Sequence, residues 1–163
     1  MNEKGANLIK IDIPGWGNME IENILLDLNG TIATDGKIPL DVREKINLLS
    51  EKVTIYILTA DTQGTAEEEV RSMNADMIKI AEEDSKNRKF EFLKAFDFEK
   101  TVAIGNGNND QLILKEAALG IAVLGEEGMS VSAMKDADIV VKDISSALDL
   151  FLRPKRLIAT LCE

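Results

Sequence analysis

Histidine is missing from all 163 residues. Its absence excludes Ser-His-Asp triads, His-ligated zinc and imidazole acid–base chemistry. There is a single cysteine, Cys162, which has no partner for an internal disulfide or for thiol catalysis and fits a reducing compartment. No apolar run approaches the roughly 20 residues of a membrane span, and the opening Met-Asn-Glu-Lys-Gly-Ala-Asn carries no apolar signal core. A soluble, cytoplasmic protein is expected. Positive charge is also scarce: 19 Lys and Arg stand against 29 Asp and Glu, a formal charge of −10. That balance argues against a nucleic-acid backbone or an anionic membrane as the main partner. A phosphorylated substrate stays compatible with it, because local amides, a lysine and a metal ion override the global field. Repeats, low-complexity tracts and linkers are absent too, and 45% apolar with 29% charged residues describes a globular chain. Residues 1–163 are expected to form one domain.

What is present is organised around residues 22–31, Glu-Asn-Ile-Leu-Leu-Asp-Leu-Asn-Gly-Thr. Ile24, Leu25 and Leu26 run straight into Asp27, and a turn follows at once. A short apolar run bounded by turn residues reads as a strand buried on both faces of a parallel sheet. Asp27 then stands at the carboxyl end, where open α/β sheets place their ligands. A carboxylate there can attack an electrophile or hold a metal. Taken alone, Asp27 is equally a residue that closes a strand, and Asn29-Gly30 an ordinary hairpin turn.

The rest of the chain alternates strand and helix. Residues 8–13 alternate apolar and polar, and Pro14-Gly15-Trp16-Gly17 turns the chain back, so that residues 8–20 read as an antiparallel edge ribbon with Trp16 packed under its turn. Asp35-Gly36 marks a small hairpin flap over 32–38. A helix is expected at 41–51 with Asp41 as N-cap and Glu44 completing a capping box, and Val42, Ile46 and Leu49 on its inner face. Strands follow at 53–58, 77–80, 101–104, 120–124 and 138–141. Helices fall at 64–73, 84–96, 110–118, 129–135 and 144–152, and again after Pro154. Asp84 is read as a cap, and Phe90, Leu93 and either Phe96 or Phe92 as inward-facing. This alternation means a mostly parallel sheet with right-handed crossovers, a three-layer Rossmann-like α/β fold.

Several strands end in polar clusters at one edge: Asp27, Thr59, and the loop Gly105-Asn106-Gly107-Asn108-Asn109-Asp110. Lys89, on the helix before the strand at 101–104, has the reach to join them. Each piece has a plain structural alternative: Thr59 as a strand-terminal hydroxyl, Asp110 as a helix cap, Lys89 as a solvated lysine. Their joint order and spacing favours a site.

Asp-x-Asn-Gly-Thr, a strand ending in Thr, a lysine and then Gly-Asn-Gly-x-Asn-Asp together resemble the haloacid dehalogenase (HAD) phosphotransferase superfamily, from about residue 8 onward. Leu-Thr-Ala-Asp (58–61), the Asp-Gly after the first motif and Arg-Leu-Ile-Ala-Thr-Leu (156–161) are most similar to its small soluble P-type-ATPase-like members. The resemblance implies that Asp27 is the nucleophile, forming an aspartyl-phosphate. It implies Mg²⁺ held by the Asp27 carboxylate, the Asn29 carbonyl, Asn106 and Asp110. The Thr59 hydroxyl, the amide of Ala60 and Gly30 would hold phosphoryl oxygens. Lys89 would put its charge between Asp27 and the phosphate, with Lys86 as the alternative if the helix aligns one turn away.

Two departures from the family pattern matter. Asn29 stands where its phosphatases carry an acid–base Asp, a loss that typically removes about 10²–10⁴-fold in rate. Asn106 replaces a metal-ligating Asp, so weaker Mg²⁺ binding is expected. No stretch is long enough for a cap domain, and capless relatives act on large substrates or borrow a neighbouring subunit as a lid, so a homo-oligomer is one expectation. The leading reading is a slow Mg²⁺-dependent phosphohydrolase or phosphotransferase, acting on a phosphorylated substrate with a good leaving group. The alternative is a phosphate- or nucleotide-binding regulatory module that has lost turnover.

Overall fold

A computed structural model describes residues 8–60 and 65–163. Asp61, the last residue of the Thr-Ala-Asp stretch, and the start of the helix expected at 64 lie outside them.

The chain opens with a two-stranded antiparallel ribbon, β1 (Ile9–Ile13) and β2 (Gly17–Ile21), in which Ile9 faces Ile21 and Ile13 faces Gly17. The alternation of β1 is the cause of its one-sidedness: Ile9, Ile11 and Ile13 are buried while Lys10 and Asp12 face solvent. The ribbon is a separate sheet rather than an edge of the main one. Trp16 at its turn is 41% exposed, so it does not pack beneath the turn as expected.

Six parallel strands form the main sheet: β3 (Asn23–Asp27), β4 (Thr54–Thr59), β5 (Asp76–Lys79), β6 (Thr101–Gly105), β7 (Leu119–Val123) and β8 (Ile139–Val141). Their order is β5-β4-β3-β6-β7-β8. Starting from β3 the chain winds outward through β4 and β5, then returns to the other side of β3 and winds outward again through β6 to β8. That reversal opens a crevice between the carboxyl ends of β3 and β6. Among the described residues seven α-helices connect and cover the strands: α1 (Leu40–Ser50), α2 (Thr65–Val70), α3 (Ser85–Leu93), α4 (Gln111–Glu116), α5 (Val131–Asp136), α6 (Ile144–Leu152) and α7 (Pro154–Leu161).

Both faces of the sheet are covered, and the side chains divide accordingly. Ile24, Leu26, Ile55, Ile57, Val102, Ile104 and Ile121 pack with Val42, Ile46 and Leu49 of α1 and Leu148 of α6. Leu25, Leu58, Ala103 and Ala122 point the other way, onto Leu93 of α3 and Ile113 and Leu114 of α4. Strands buried on both faces are continuous in apolar residues: β7 is so throughout, β3 from Ile24 to Leu26 and β6 from Val102 onward. Tyr56, Phe92 and Phe96 stack at the edge of the second layer, with ring centroids 5.0–5.6 Å apart.

Two helix caps differ from the sequence reading. Pro39 occupies the N-cap of α1 and Leu40 begins the helix, because proline already holds the extended conformation that a cap requires. Asp41 therefore lies in the first turn, and its carboxylate accepts from the Ser145 hydroxyl at 2.9 Å instead of capping. Asp84 does occupy the N-cap position of α3, but in a left-handed conformation (φ 58°), and its carboxylate accepts from the Asn87 side chain rather than from a helix amide. The flap is present as a tight turn: Thr34 and Lys37 exchange both backbone hydrogen bonds across Asp35 and Gly36, each at positive φ. Among the described residues, the β3–α1 connection holds this flap and the β4–β5 connection holds α2, and neither adds a cap domain. No helix among them is long and apolar enough to cross a membrane.

Candidate active site

Register alone puts the first groups together. Asp27 ends β3 level with Leu58 of β4, so Thr59 lies one residue beyond it on the adjacent strand, buried, with half-buried Ala60 after it. On the other side Leu26 pairs with Ile104, which delivers Gly105 and the following loop to the same edge.

Lys89 reaches this edge from α3. Its side chain is 3% exposed, and its ammonium donates to Asp27 Oδ1 at 2.8 Å and to Asp110 Oδ1 at 2.7 Å. Lys86 does not reach it: its ammonium bonds Gln111 Oε1 at 2.9 Å. The two lysines lie three residues apart on one helix face, so periodicity alone cannot choose between them. Asp110 is fully buried, and its second oxygen accepts the amides of Asn106 and Gly107, both at 3.0 Å. It organises the loop as much as it pairs with Lys89. Gly105 makes this possible, since a Cβ there would lie 2.4 Å from the Asp110 carboxyl carbon.

Thr31 was not singled out from sequence, although it closes the Asp-x-Asn-Gly-Thr string. Its hydroxyl lies 3.0 Å from Asp27 Oδ2 and 3.2 Å from Asn106 Oδ1, joining the end of β3 to the loop after β6. Glu127 is a second residue that no motif announced. It approaches from the loop after β7 and stands with the Asn106 amide over Gly30: a Cβ at Gly30 would meet Glu127 Oε2 at 2.5 Å and Asn106 Nδ2 at 2.6 Å. Gly30 also sits at φ 78°, so both space and backbone call for glycine. Asn106 is fixed further by its Nδ2–H donated to the Gly128 carbonyl at 3.2 Å. Asn29, two residues past Asp27, is exposed.

One buried ammonium faces two buried carboxylates. Burial and the neighbouring Asp110 charge push the Asp27 carboxyl up from 3.8 to about 7, against the opposing pull of Lys89 and Thr31. Burial works against the Lys89 ammonium, but the two carboxylates outweigh it and raise its pKa. Two ionised carboxylates would outnumber the one Lys89 ammonium between them, which is why Asp27 keeps its proton up to about 7.

The donors suit a hard divalent cation such as Mg²⁺. Asp27 Oδ2 and Asn106 Oδ1 are hard oxygens that converge on the same hydroxyl. Asp110 already has both oxygens engaged, and no three Cys, Asp or Glu side chains gather into a group that could hold a metal ion among the described residues. A cation here would be held by few protein charges and by water.

No family model matches the chain. It is 67% identical over 39 residues to the uncharacterized protein MJ0072 of Methanocaldococcus jannaschii, covering 24% of this chain and 89% of that one. The chain belongs to the same family as MJ0072. A second relative from that organism, the uncharacterized protein MJ0073, is 59% identical over 61 residues, which span 37% of this chain and 66% of that one. Among solved structures, 3-deoxy-D-manno-octulosonate 8-phosphate phosphatase from Moraxella catarrhalis, in complex with magnesium, phosphate and KDO, superposes with a TM-score of 0.68 at 14% identity. It is covered to 92% by 86% of this chain. A HAD superfamily (subfamily III A) hydrolase from Legionella pneumophila gives 0.68 at 14% identity over 86% of this chain and 87% of its own. The cobalt-bound octulosonate 8-phosphate phosphatase of Haemophilus influenzae gives 0.69 at 12% identity, over 86% and 92%. The fold is that of the HAD superfamily, as the motifs implied.

Proposed function

We propose that the chain is a Mg²⁺-dependent phosphohydrolase or phosphotransferase that works through an aspartyl-phosphate on Asp27. The observation that carries this reading is the buried Asp27 carboxylate at the switch-point crevice, gripped by Lys89 and facing Thr31 and Asn106. An Asp27 oxygen attacks phosphorus while the bond from phosphorus to the leaving oxygen breaks. The leaving group departs as the alkoxide or aryloxide and takes its proton from water. A water molecule then attacks the acyl phosphate, releasing phosphate and restoring the carboxylate.

Phosphoryl transfer asks chiefly for positioning and for neutralisation of the equatorial oxygens. Lys89 supplies one fixed cation, and Thr59 with the Ala60 amide supplies the oxygen contacts; the Gly30 amide, expected from sequence to join them, already donates to the Ala33 carbonyl at 2.9 Å. Asp27, the Asn29 carbonyl and Asn106 would hold Mg²⁺, with Asp110 joining them only by exchanging one of its present hydrogen bonds for the metal; the ion when bound would offset negative charge and polarise the phosphoryl group. Asn29 hydrogen-bonds but cannot carry a proton, so both proton transfers fall to solvent and turnover is slow. P-type ATPases also lack an acid at this position and accumulate the aspartyl-phosphate, and the resemblance to them supports a long-lived intermediate here. The non-ionisable Asn29 and Asn106 favour a second reading, a module that binds phosphate or a nucleotide without turning it over.

Phosphate release from p-nitrophenyl phosphate, with and without Mg²⁺, separates the two. Wild type is expected to turn over slowly and only with Mg²⁺, Asn29→Asp to run roughly 10-fold faster or more, and Asp27→Asn to be inactive. No release by either wild type or Asn29→Asp at any Mg²⁺ concentration would leave the binding-module reading. With Asn106 in place of a charged ligand, Mg²⁺ affinity is expected to be weak. A titration giving low-micromolar affinity would contradict that.

A further inference from the structure

Beside the Asp27 crevice lies a cleft of about 480 Å³ between the flap, the amino ends of α1 and α6, and the loop after β7. Gly30 and Thr31 form part of its wall, and the Thr31 hydroxyl is the group 3.0 Å from Asp27 Oδ2. Thr31 is therefore the wall shared by the cleft and the Asp27 crevice; Asp27 itself does not line the cleft. Its floor is apolar: Ile32, Val42 and Ile144 all contribute, and all are buried. Its rim is charged, with Asp41, Glu126 and Asp143 against Lys142 alone. The wall between α1 and α6 is braced, since Ser145 donates to Asp41 at 2.9 Å and accepts from Lys45 at 2.6 Å. Lys45 is itself paired with Asp149 at 3.1 Å, so it adds no free cation to the rim.

We propose that this cleft receives the leaving group of the substrate, and that it selects compact phosphomonoesters whose remainder is uncharged or cationic over those bearing a second anionic group. This rests on the phosphotransferase reading of Asp27. The volume accommodates a substituted ring or a short chain, the floor offers apolar contact, and a carboxylate or second phosphate on the ligand meets more negative charge than positive. Asp41, Glu126 and Lys142 are exposed, so the selection is electrostatic, moderate and weakened by salt.

The test uses non-hydrolysable benzylphosphonates bearing a para ammonium, hydrogen or carboxylate, with dissociation constants from calorimetry in Mg²⁺ at low ionic strength. The ammonium compound is expected to bind about tenfold more tightly than the carboxylate, and the ratio to shrink in high salt. Asp41→Asn combined with Glu126→Gln is expected to bring the ratio below about threefold. A control with the same loss of charge away from the cleft, Asp12→Asn with Glu99→Gln, is expected to keep the wild-type ratio. Equal or tighter binding of the carboxylate, a ratio that follows the control as much as the cleft variant, or no binding of any compound would overturn the proposal. Because binding is read without turnover, these outcomes are distinct from failure of the phosphatase reading, which p-nitrophenyl phosphate hydrolysis reports separately.

Discussion

At the scale of single residues, the molecule turns on one ammonium shared by two carboxylates. Lys89, Asp27 and Asp110 are buried together, and burial lifts the Asp27 carboxyl to about 7. Because the folded carboxyl binds its proton more tightly than the unfolded one, its contribution to stability is complete below pH 3.8 and is lost as pH rises through about 7. Urea unfolding in EDTA should therefore show the metal-free protein losing roughly 2–4 kcal/mol between pH 4 and 8 from this group. Lys89→Met should deepen the loss, because it leaves two buried carboxylates without a counter-charge. Its cost should be about 3–5 kcal/mol at pH 8 and clearly less at pH 5, where a carboxyl can take up a proton. A pH-independent cost would mean that Lys89 serves only as packing. The sequence shows these three residues but not their bonds. Lys86 and Lys89 share a helix face, and only the tilt of α3 against β3 decides which one arrives. Thr31 was overlooked because a threonine after Asn-Gly looks like turn chemistry until the loop after β6 closes on it.

At the scale of elements, the apolar runs were enough to place the strands, because a strand buried on both faces has no alternation to misread. Capping was less legible. Asp41 and Asp84 both have the residue type and spacing of N-caps, yet Pro39 holds the cap of α1, and Asp84 is turned left-handed by the approach to α3. A side chain's local preference yields where the backbone path is set by packing. The contact between α4 and β7 is the tightest such constraint. A Cβ on Gly120 would lie 2.0 Å from the Leu114 carbonyl oxygen, a backbone atom that cannot swing aside. Gly120→Ala should therefore cost about 1–3 kcal/mol by forcing the helix off the strand. Gly36→Ala meets no atom within 4 Å and should be limited to the strain of its positive φ. Denaturant midpoints for both variants check this; a loss at Gly120 no larger than at Gly36 would mean that α4 shifts off β7 at no cost.

At the scale of the whole molecule, the net charge of −10 opposes the approach of any phosphate dianion to the crevice, whatever attraction Lys89 and a metal exert at contact. Raising ionic strength from about 0.01 to 0.15 M with a non-coordinating salt should increase kcat/KM for an anionic phosphomonoester, because screening weakens long-range repulsion sooner than buried contacts. A fall over that range would mean that a local positive field governs encounter. The fold order explains why the site was legible at this scale: reversal of winding at β3 puts the ends of β3 and β6 side by side, so motifs far apart in sequence meet there. The cleft beside it was not legible, since it is built from the flap, two helix starts and a loop that carry no shared motif.

The backbone amide of Glu163 donates to the Pro14 carbonyl at 3.0 Å, and Glu163 packs on Gly15. This clasp brings the sole tryptophan, Trp16, into one corner with the sole cysteine, exposed Cys162. The unmutated chain thereby holds a ready donor and one attachment point for an acceptor dye, without any engineered label site. Energy transfer between them would report release of the ribbon from α7. Trp16 belongs to the ribbon that feeds the amino end of β3, the opposite end of that strand from Asp27. Its emission is therefore a gauge of ribbon docking, and a fluorescence titration with metal would be blind to the crevice unless the two ends of the strand communicate.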